Sequence, residues 1–188
     1  MAICVAFNGH FCRLWLMTFD ELDTELQSLV RERVIFKRNA ANSLIIYFGG
    51  KPGDANVRSF FIDPSWRFER NGRIVVGSFD FQIERSEFNS DEEYDNEFHR
   101  RCELMGTLVG SELLRVEVEH STADLTLEFS NQQVVRNFAN SVFDEDAWTY
   151  RNIPKRMKVS FSHLGIQISE EDERMATHTP LSETLNDA

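Results

Sequence analysis

Acidic residues precede two tryptophans at comparable places in the chain, and carboxylates are the ligands that Ca²⁺ and Mg²⁺ prefer. An acidic run at residues 144–146 comes directly before Ala147-Trp148, and Asp63 comes shortly before Trp66. The twelve-residue loop of an EF-hand, with its central glycine and terminal glutamate, is missing around these acids. We therefore interpret them as solvated loop residues.

A second group of possible metal ligands is His99 and Cys102, which lie three residues apart on a predicted helix and so share one face. His10 and Cys12 could supply two more ligands. A zinc site needs about four convergent ligands, and nothing in the spacing brings the two pairs together. We expect no metal and no other cofactor.

Motifs for nucleophilic or nucleotide chemistry are missing from the sequence. There is no G-x-S-x-G elbow, and the five histidines show no spacing typical of a catalytic triad. Neither a Walker A loop nor G-x-G-x-x-G occurs. The sequence therefore predicts no catalytic residues and a non-enzymatic protein.

Two aromatic pairs are the remaining candidates for ligand binding. Trp66 and Trp148 are each followed two residues later by an aromatic, Phe68 or Tyr150, and at strand spacing both members of a pair point to one face of a sheet. The two pairs could form a ligand platform in a groove, which would make the protein a small-molecule sensor or enzyme. We favour the alternative that they are two equivalent core anchors, because each aromatic buries about 150–250 Å².

Acidity is the main surface property of the chain, whose net charge is −11. A basic protein is the partner that such a charge steers and orients, whereas a nucleic-acid backbone would be repelled. The alternative is that the acids only maintain solubility. The candidates for partner binding are acids on two segments expected at the surface: Glu92, Glu93, Asp144, Glu145 and Asp146.

The elements that would position these residues have clear local signals. Asn8-Gly9 and Asn71-Gly72 predict tight β-hairpins. Capping boxes at 18–21 and 90–93 predict helices that run to about residue 31 and about residue 105. Short segments of alternating apolar and polar residues between them are typical of antiparallel strands with one exposed face.

The strand pattern of the first half recurs in the second half. V-R-x-F occurs at 57–60 and 135–138, tryptophan at 66 and 148, and Ser-Phe at 78–79 and 160–161. The recurrence predicts an α+β fold, mainly antiparallel, in which two tandem copies of a β-rich unit, each preceded by a helix, are related by a pseudo-two-fold arrangement.

The predicted organisation is one compact domain at 1–168 and an acidic disordered tail at 169–188, which holds six acids and one arginine. Within the domain we expect a hairpin and helix at 1–31, repeat one at 32–81, a helix at 90–105 and repeat two at 108–162. No apolar run approaches the length of a membrane span, and the N-terminus lacks the features of a signal peptide. We expect a cytoplasmic protein.

The second copy resembles a small bacterial domain of unknown function that is associated with polymorphic-toxin immunity loci. The resemblance covers about forty residues, with Leu108-Val109-Gly110, the L-x-L-x-F at 125–129 and Ala147-Trp148-x-Tyr150. In the first copy Arg31 and Ser65 replace the glycine and the alanine of this pattern. The resemblance implies a cytosolic, partner-binding protein, here an immunity-like inhibitor of a basic toxin or nuclease.

Overall fold

The computed structural model describes residues 2–7, 10–15, 17–139, 146–162 and 165–170. The strands of the first half, with the helix α1, are β1 (Ala2–Phe7), β2 (His10–Trp15), α1 (Phe19–Gln27), β3 (Val34–Ala40), β4 (Ser43–Phe48), β5 (Arg58–Ile62), β6 (Trp66–Arg70) and β7 (Arg73–Gly77). The elements that follow are α2 (Asp91–Glu103), β8 (Leu113–Glu119), β9 (Asp124–Phe129), β10 (Gln133–Asn137), β11 (Trp148–Asn152), β12 (Met157–Ser162) and β13 (Gly165–Glu170).

These strands form a hairpin, β1–β2, and two larger sheets. Sheet A has five strands in the order β7-β6-β10-β9-β8, and sheet B has six in the order β13-β12-β11-β5-β4-β3. All the described strand pairs are antiparallel. The predicted class, an α+β protein with mainly antiparallel sheets, is confirmed.

The alternation of apolar and polar residues sets which face of each sheet is buried. On β9, Leu125, Leu127 and Phe129 are buried, whereas Thr126 and Glu128 between them are only partly buried. A β-strand points successive side chains to opposite faces, so one face of the strand enters the core. The same period places Leu44, Ile46 and Phe48 of β4 in the core.

One hydrophobic core receives side chains from both sheets and from the helical segments. Both sheets contribute aromatic residues to it, with Trp66, Phe68 and Phe129 on sheet A. On sheet B the rings of Trp148 and Phe161 stack at 5.1 Å, and Phe60 meets Trp148 edge-on at 6.2 Å. Leu22 and Leu26 of α1 are buried against it. None of the described helices is long and apolar enough to cross a membrane.

The two helix starts differ. At α1 the predicted capping box is confirmed, since the Glu21 N–H donates to Thr18 Oγ1 at 3.2 Å and the Thr18 N–H donates to the Glu21 carboxylate at 2.8 Å. At α2 the Glu93 N–H donates to Ser90 Oγ at 3.1 Å, but the Glu93 carboxylate instead accepts the backbone and side-chain N–H groups of Asn89. The second box is therefore only half formed, because Asn89 offers two donors to the same oxygen.

The segment boundaries also differ in detail from the sequence-based ones. Helix α1 ends at Gln27 rather than near residue 31, where Arg31 takes a left-handed φ of 79°. Strand β13 continues to Glu170, so the first two residues of the predicted tail pair with β12. Residues 171–188, and with them the rest of the predicted tail, lie outside the described residues.

Candidate functional site

Residues 80–103, which we name the acidic segment, follow β7 and end with α2. They contain nine acids and three arginines. This excess of six acids equals the net negative charge of residues 1–168. The other residues of 1–168 therefore contain equal numbers of acidic and basic side chains. Helix α2 contributes no buried residue to the core. The charge of the body is therefore concentrated on one surface segment.

The arginines of the acidic segment are used within it. Arg100 and Arg101 both bind the Glu97 carboxylate, at 2.7 and 2.6 Å, and their hydrogen bonds lower the pKa of Glu97 to about 2. Arg85 donates to Asp91 at 2.7 Å, which lowers the pKa of that carboxyl. Six other carboxylates of the acidic segment form no salt bridge with any of the described residues: Glu84, Glu87, Glu92, Glu93, Asp95 and Glu103.

The predicted partner-binding acids have different positions in the structure. Glu92 and Glu93 are exposed in the first turn of α2, where the positive end of the helix dipole stabilises carboxylates. Asp146 is partly buried just before β11, and Asp144 and Glu145 lie outside the described residues. Glu92 and Glu93 are therefore the two predicted acids whose exposure at the surface the structure describes.

The two tryptophans of the possible ligand platform are core residues. Trp66 is 2% exposed and Trp148 is fully buried. The indole N–H of Trp66 donates to the Asn42 carbonyl at 2.7 Å, and that of Trp148 donates to the Ala123 carbonyl at 2.9 Å. Both rings thus bury their apolar area and satisfy their one donor internally, which supports the interpretation as core anchors.

A buried carboxylate that the sequence analysis missed lies between α1 and sheet B. Glu25 is 6% exposed, and it accepts hydrogen bonds from the Tyr150 hydroxyl at 2.8 Å and the Asn152 amide at 2.6 Å. The Lys155 ammonium forms a salt bridge with its other oxygen. An open groove of about 510 Å³ borders this cluster and is lined by α1 and Lys155. The sequence signal was the position of Glu25 on the stripe formed by Leu22 and Leu26.

The protonation states of this cluster favour a structural role. Burial raises the pKa of Glu25, but the hydrogen bonds from Lys155, Asn152 and Tyr150 outweigh it and hold the pKa below its ordinary value. Burial, followed by the charge and hydrogen bond of Glu25, raises the pKa of Tyr150 far above its ordinary value. Glu25 therefore stays ionised and Tyr150 stays protonated near neutral pH, so neither exchanges a proton readily.

The described residues hold no group of three or more His, Cys, Asp and Glu side chains arranged to bind a metal ion. His99 is exposed and Cys102 is half-buried on α2. Burial raises the pKa of the Cys102 thiol, which disfavours the reactive thiolate. No protein family, curated protein or solved structure matches this chain.

Proposed function

We propose that this chain is a non-enzymatic, cytoplasmic protein-binding module that docks a basic protein through the acidic segment, as an immunity-like inhibitor of a basic toxin or nuclease does. The observation that carries the proposal is the concentration of the body's net charge on residues 80–103. A localised field of one sign accelerates the encounter with an oppositely charged partner and orients it. Acids needed only for solubility have no reason to gather on one segment.

We also propose that the fold is a tandem repeat with a pseudo-two-fold arrangement. The strands β3 to β7 correspond one for one to β8 to β12. When each strand is exchanged for its counterpart, the strand order of sheet A becomes that of sheet B without β13. In this arrangement each half contributes three strands to one sheet and two to the other. The edge strands β3 and β8 also carry a register shift at matching positions, between Val34 and Phe36 and between Leu113 and Arg115.

Hydrogen bonds between the halves support the same correspondence. The Asp63 N–H donates to the Ala147 carbonyl at 3.1 Å, and the matching Phe138 N–H donates to the Ser65 carbonyl at 2.9 Å. A second matched pair occurs where β3 and β8 begin. There the Arg31 N–H donates to the Leu113 carbonyl and the Gly110 N–H donates to the Val34 carbonyl, both at 2.8 Å.

The repeat sharpens the functional proposal, because α1 and α2 precede the matching strands β3 and β8. Helix α1 buries Leu22, Glu25 and Leu26, whereas α2 buries none of its residues. Packing constrains Phe98 and Cys102, which lie partly buried against the core, but not the exposed acids of α2, whose face is free to carry a binding function. Helix α1 is also acidic, with Asp20, Glu21, Asp23 and Glu25 and no basic residue. What distinguishes α2 is that none of its acids is buried.

A matched pair of substitutions tests the proposal. Glu92 and Asp20 both occupy the second position after the helix N-cap, Ser90 and Thr18 respectively. Glu92→Lys and Asp20→Lys make the same charge change on opposite helices, so net charge and helix dipole effects are equal. A partner retained from an extract of the native host by immobilised wild-type protein supplies the ligand.

We expect Glu92→Lys to lower the association rate about three- to tenfold at low salt and Asp20→Lys to leave it nearly unchanged. The wild-type rate should fall as salt rises toward 0.5 M, because charges farther apart than about 10 Å are screened at 0.1 M. Stopped-flow fluorescence measures both. Equal effects of the two variants, or an acidic partner, would contradict the proposal.

A further inference from the structure

The outer edges of the two sheets are covered to different extents. Helix α1 covers β8, where the Gln27 side-chain amide donates to the Val116 carbonyl at 2.9 Å. Helix α2 is attached to β3, where the Lys37 ammonium donates to the Cys102 carbonyl at 2.9 Å. In sheet B, β13 covers β12. No other described strand pairs with the outer side of β7.

Strand β7 has the features of an edge that can accept another strand. Asn71 and Gly72 form the two-residue turn, so Arg70 and Arg73 are the closing pair of the hairpin. Because successive pairs alternate, the backbone N–H and C=O of the next residue, Ile74, point away from β6. The Ile74 side chain is 63% exposed. An exposed apolar edge strand is a template for pairing.

The matched edge in sheet B identifies the occupant. Strand β12, the counterpart of β7, is paired in antiparallel orientation with β13, whose Ile166 and Ile168 lie opposite Phe161 and Val159. We infer that β7 is a docking edge for an extended antiparallel segment of a partner protein, with an apolar residue at every second position. This inference rests on the proposed function, since it names the element on which the basic partner docks.

Charge selects the partner and its direction. The end of β7 at Gly77 adjoins the acidic segment, because Asp80 accepts the Gly77 N–H at 2.7 Å. The other end carries the exposed Arg73. An antiparallel strand placed as β13 is on β12 sets its N-terminal end near Asp80 and its C-terminal end near Arg73. The partner strand therefore has a basic N-terminal end and tolerates an acid at its C-terminal end. An antiparallel second copy would place its own Arg73 near Asp80, but each copy carries a net charge of −11, and repulsion between two such chains disfavours a second copy as the occupant.

Two peptides of identical composition test the edge and its direction. The first, Lys-Ile-Gln-Ile-Ser-Glu, follows the β13 sequence with lysine in place of its first glycine, and the second exchanges the terminal lysine and glutamate. In amide NMR titrations of the full chain, the first peptide should shift signals of residues 73–77. The second should bind about two- to fivefold more weakly, the effect of one or two exposed ion pairs.

Substitutions at Ile74 separate backbone pairing from apolar contact. Ile74→Pro removes the outward N–H without breaking the ladder to β6, and proline is tolerated on edge strands. It should weaken binding of the first peptide at least about tenfold. Ile74→Ala keeps the N–H and should weaken binding only about two- to threefold. Wild-type protein alone should sediment as a monomer.

Three outcomes would overturn the inference: no shift on β7, equal losses for the two Ile74 variants, or a dimer that Ile74→Pro dissociates. The last result would assign the edge to a second copy. These failures are distinct from failure of the proposed function, because the rates of the Glu92→Lys and Asp20→Lys variants test charge steering without reference to β7. Peptide binding on β7 with equal rates for those variants would retain the edge and reject the steering.

Discussion

Under the proposed repeat the strand orders of sheets A and B correspond, but the two sheets differ at their borders. The matched Trp66 and Trp148 are the first residues of β6 and β11, where each half of the chain passes from one sheet to the other. Their indole N–H groups donate to backbone carbonyls in matched hairpin turns. Sheet B gains β13, whereas β7 of sheet A stays open. Helix α1 buries one of its carboxylates, whereas α2 buries none. The matched parts build the core, and the unmatched parts are where we locate binding.

The largest effect we expect tests the matched parts. Trp66→Ala and Trp148→Ala should each lower the free energy of unfolding by about 3–5 kcal/mol, because each removes a buried ring and leaves a cavity. Urea unfolding followed by circular dichroism measures both. If one substitution costs less than half as much as the other, the two positions are not equivalent and the proposed correspondence is weakened.

The next effect concerns the buried carboxylate of α1. Glu25→Gln should cost about 2 kcal/mol at pH 7, since it removes a charged acceptor from Tyr150, Asn152 and Lys155. The folded pKa of Glu25 lies below the ordinary value of 4.5, so this stability is fully present above that pH and is lost as pH falls through the folded pKa.

Unfolding curves of wild type and Glu25→Gln from pH 7 to pH 3 check the sign, and their difference cancels the other carboxylates. Asp20→Asn, at an exposed position in the first turn of the same helix, is the control and should show a smaller difference at pH 7, about 0.3–1 kcal/mol from the helix dipole. A difference that grows as the pH falls would mean that the carboxylate destabilises the fold.

Substitutions at the two helix caps should distinguish α1, which buries three residues, from α2, which packs only partly buried residues against the core. Thr18→Ala should lower global stability by about 1 kcal/mol, because α1 is docked through buried leucines. Ser90→Ala removes an equivalent bond from α2 and should reduce hydrogen-exchange protection within α2 more than it reduces global stability. Equal global losses would show that α2 is as firmly packed as α1.

The smallest effects are expected at two matched left-handed residues. Gly110 has φ 84°, and its counterpart Arg31 has φ 79°. Gly110→Ala should cost about 1 kcal/mol, because a Cβ is strained in this region although nothing lies within 4 Å of it. Arg31→Gly should be neutral or gain up to about 0.5 kcal/mol, as relief of strain offsets the loss of a surface salt bridge to Glu112. Thermal unfolding compares the two.

Local signals in the sequence were sufficient for the individual elements. The Asn71-Gly72 turn, the Thr18 cap and the alternation of β9 follow from interactions within a few residues. The exchange of strands between the halves does not follow from such local interactions. Strand β6 pairs with β10, which lies more than sixty residues away in the sequence, and the alternation of a strand does not specify its partner.

The candidate site was predictable only in part. The exposure of Glu92 and Glu93 was predictable because they are acids on a segment expected at the surface, whereas their role in binding stays a prediction. The cluster at Glu25 was missed because its partners, Tyr150, Asn152 and Lys155, come from the other end of the chain. The open edge at β7 was also hidden, since it depends on which other edges are covered.

Hydrogen exchange of the free protein and of its complex with the captured partner tests whether binding is located in the unmatched parts. We expect added protection on β7 and on α2. We also expect no change on their counterparts, β12 and α1, at matched time points. Protection that appears equally on both members of each pair, or only on α1 and β13, would contradict this location of binding.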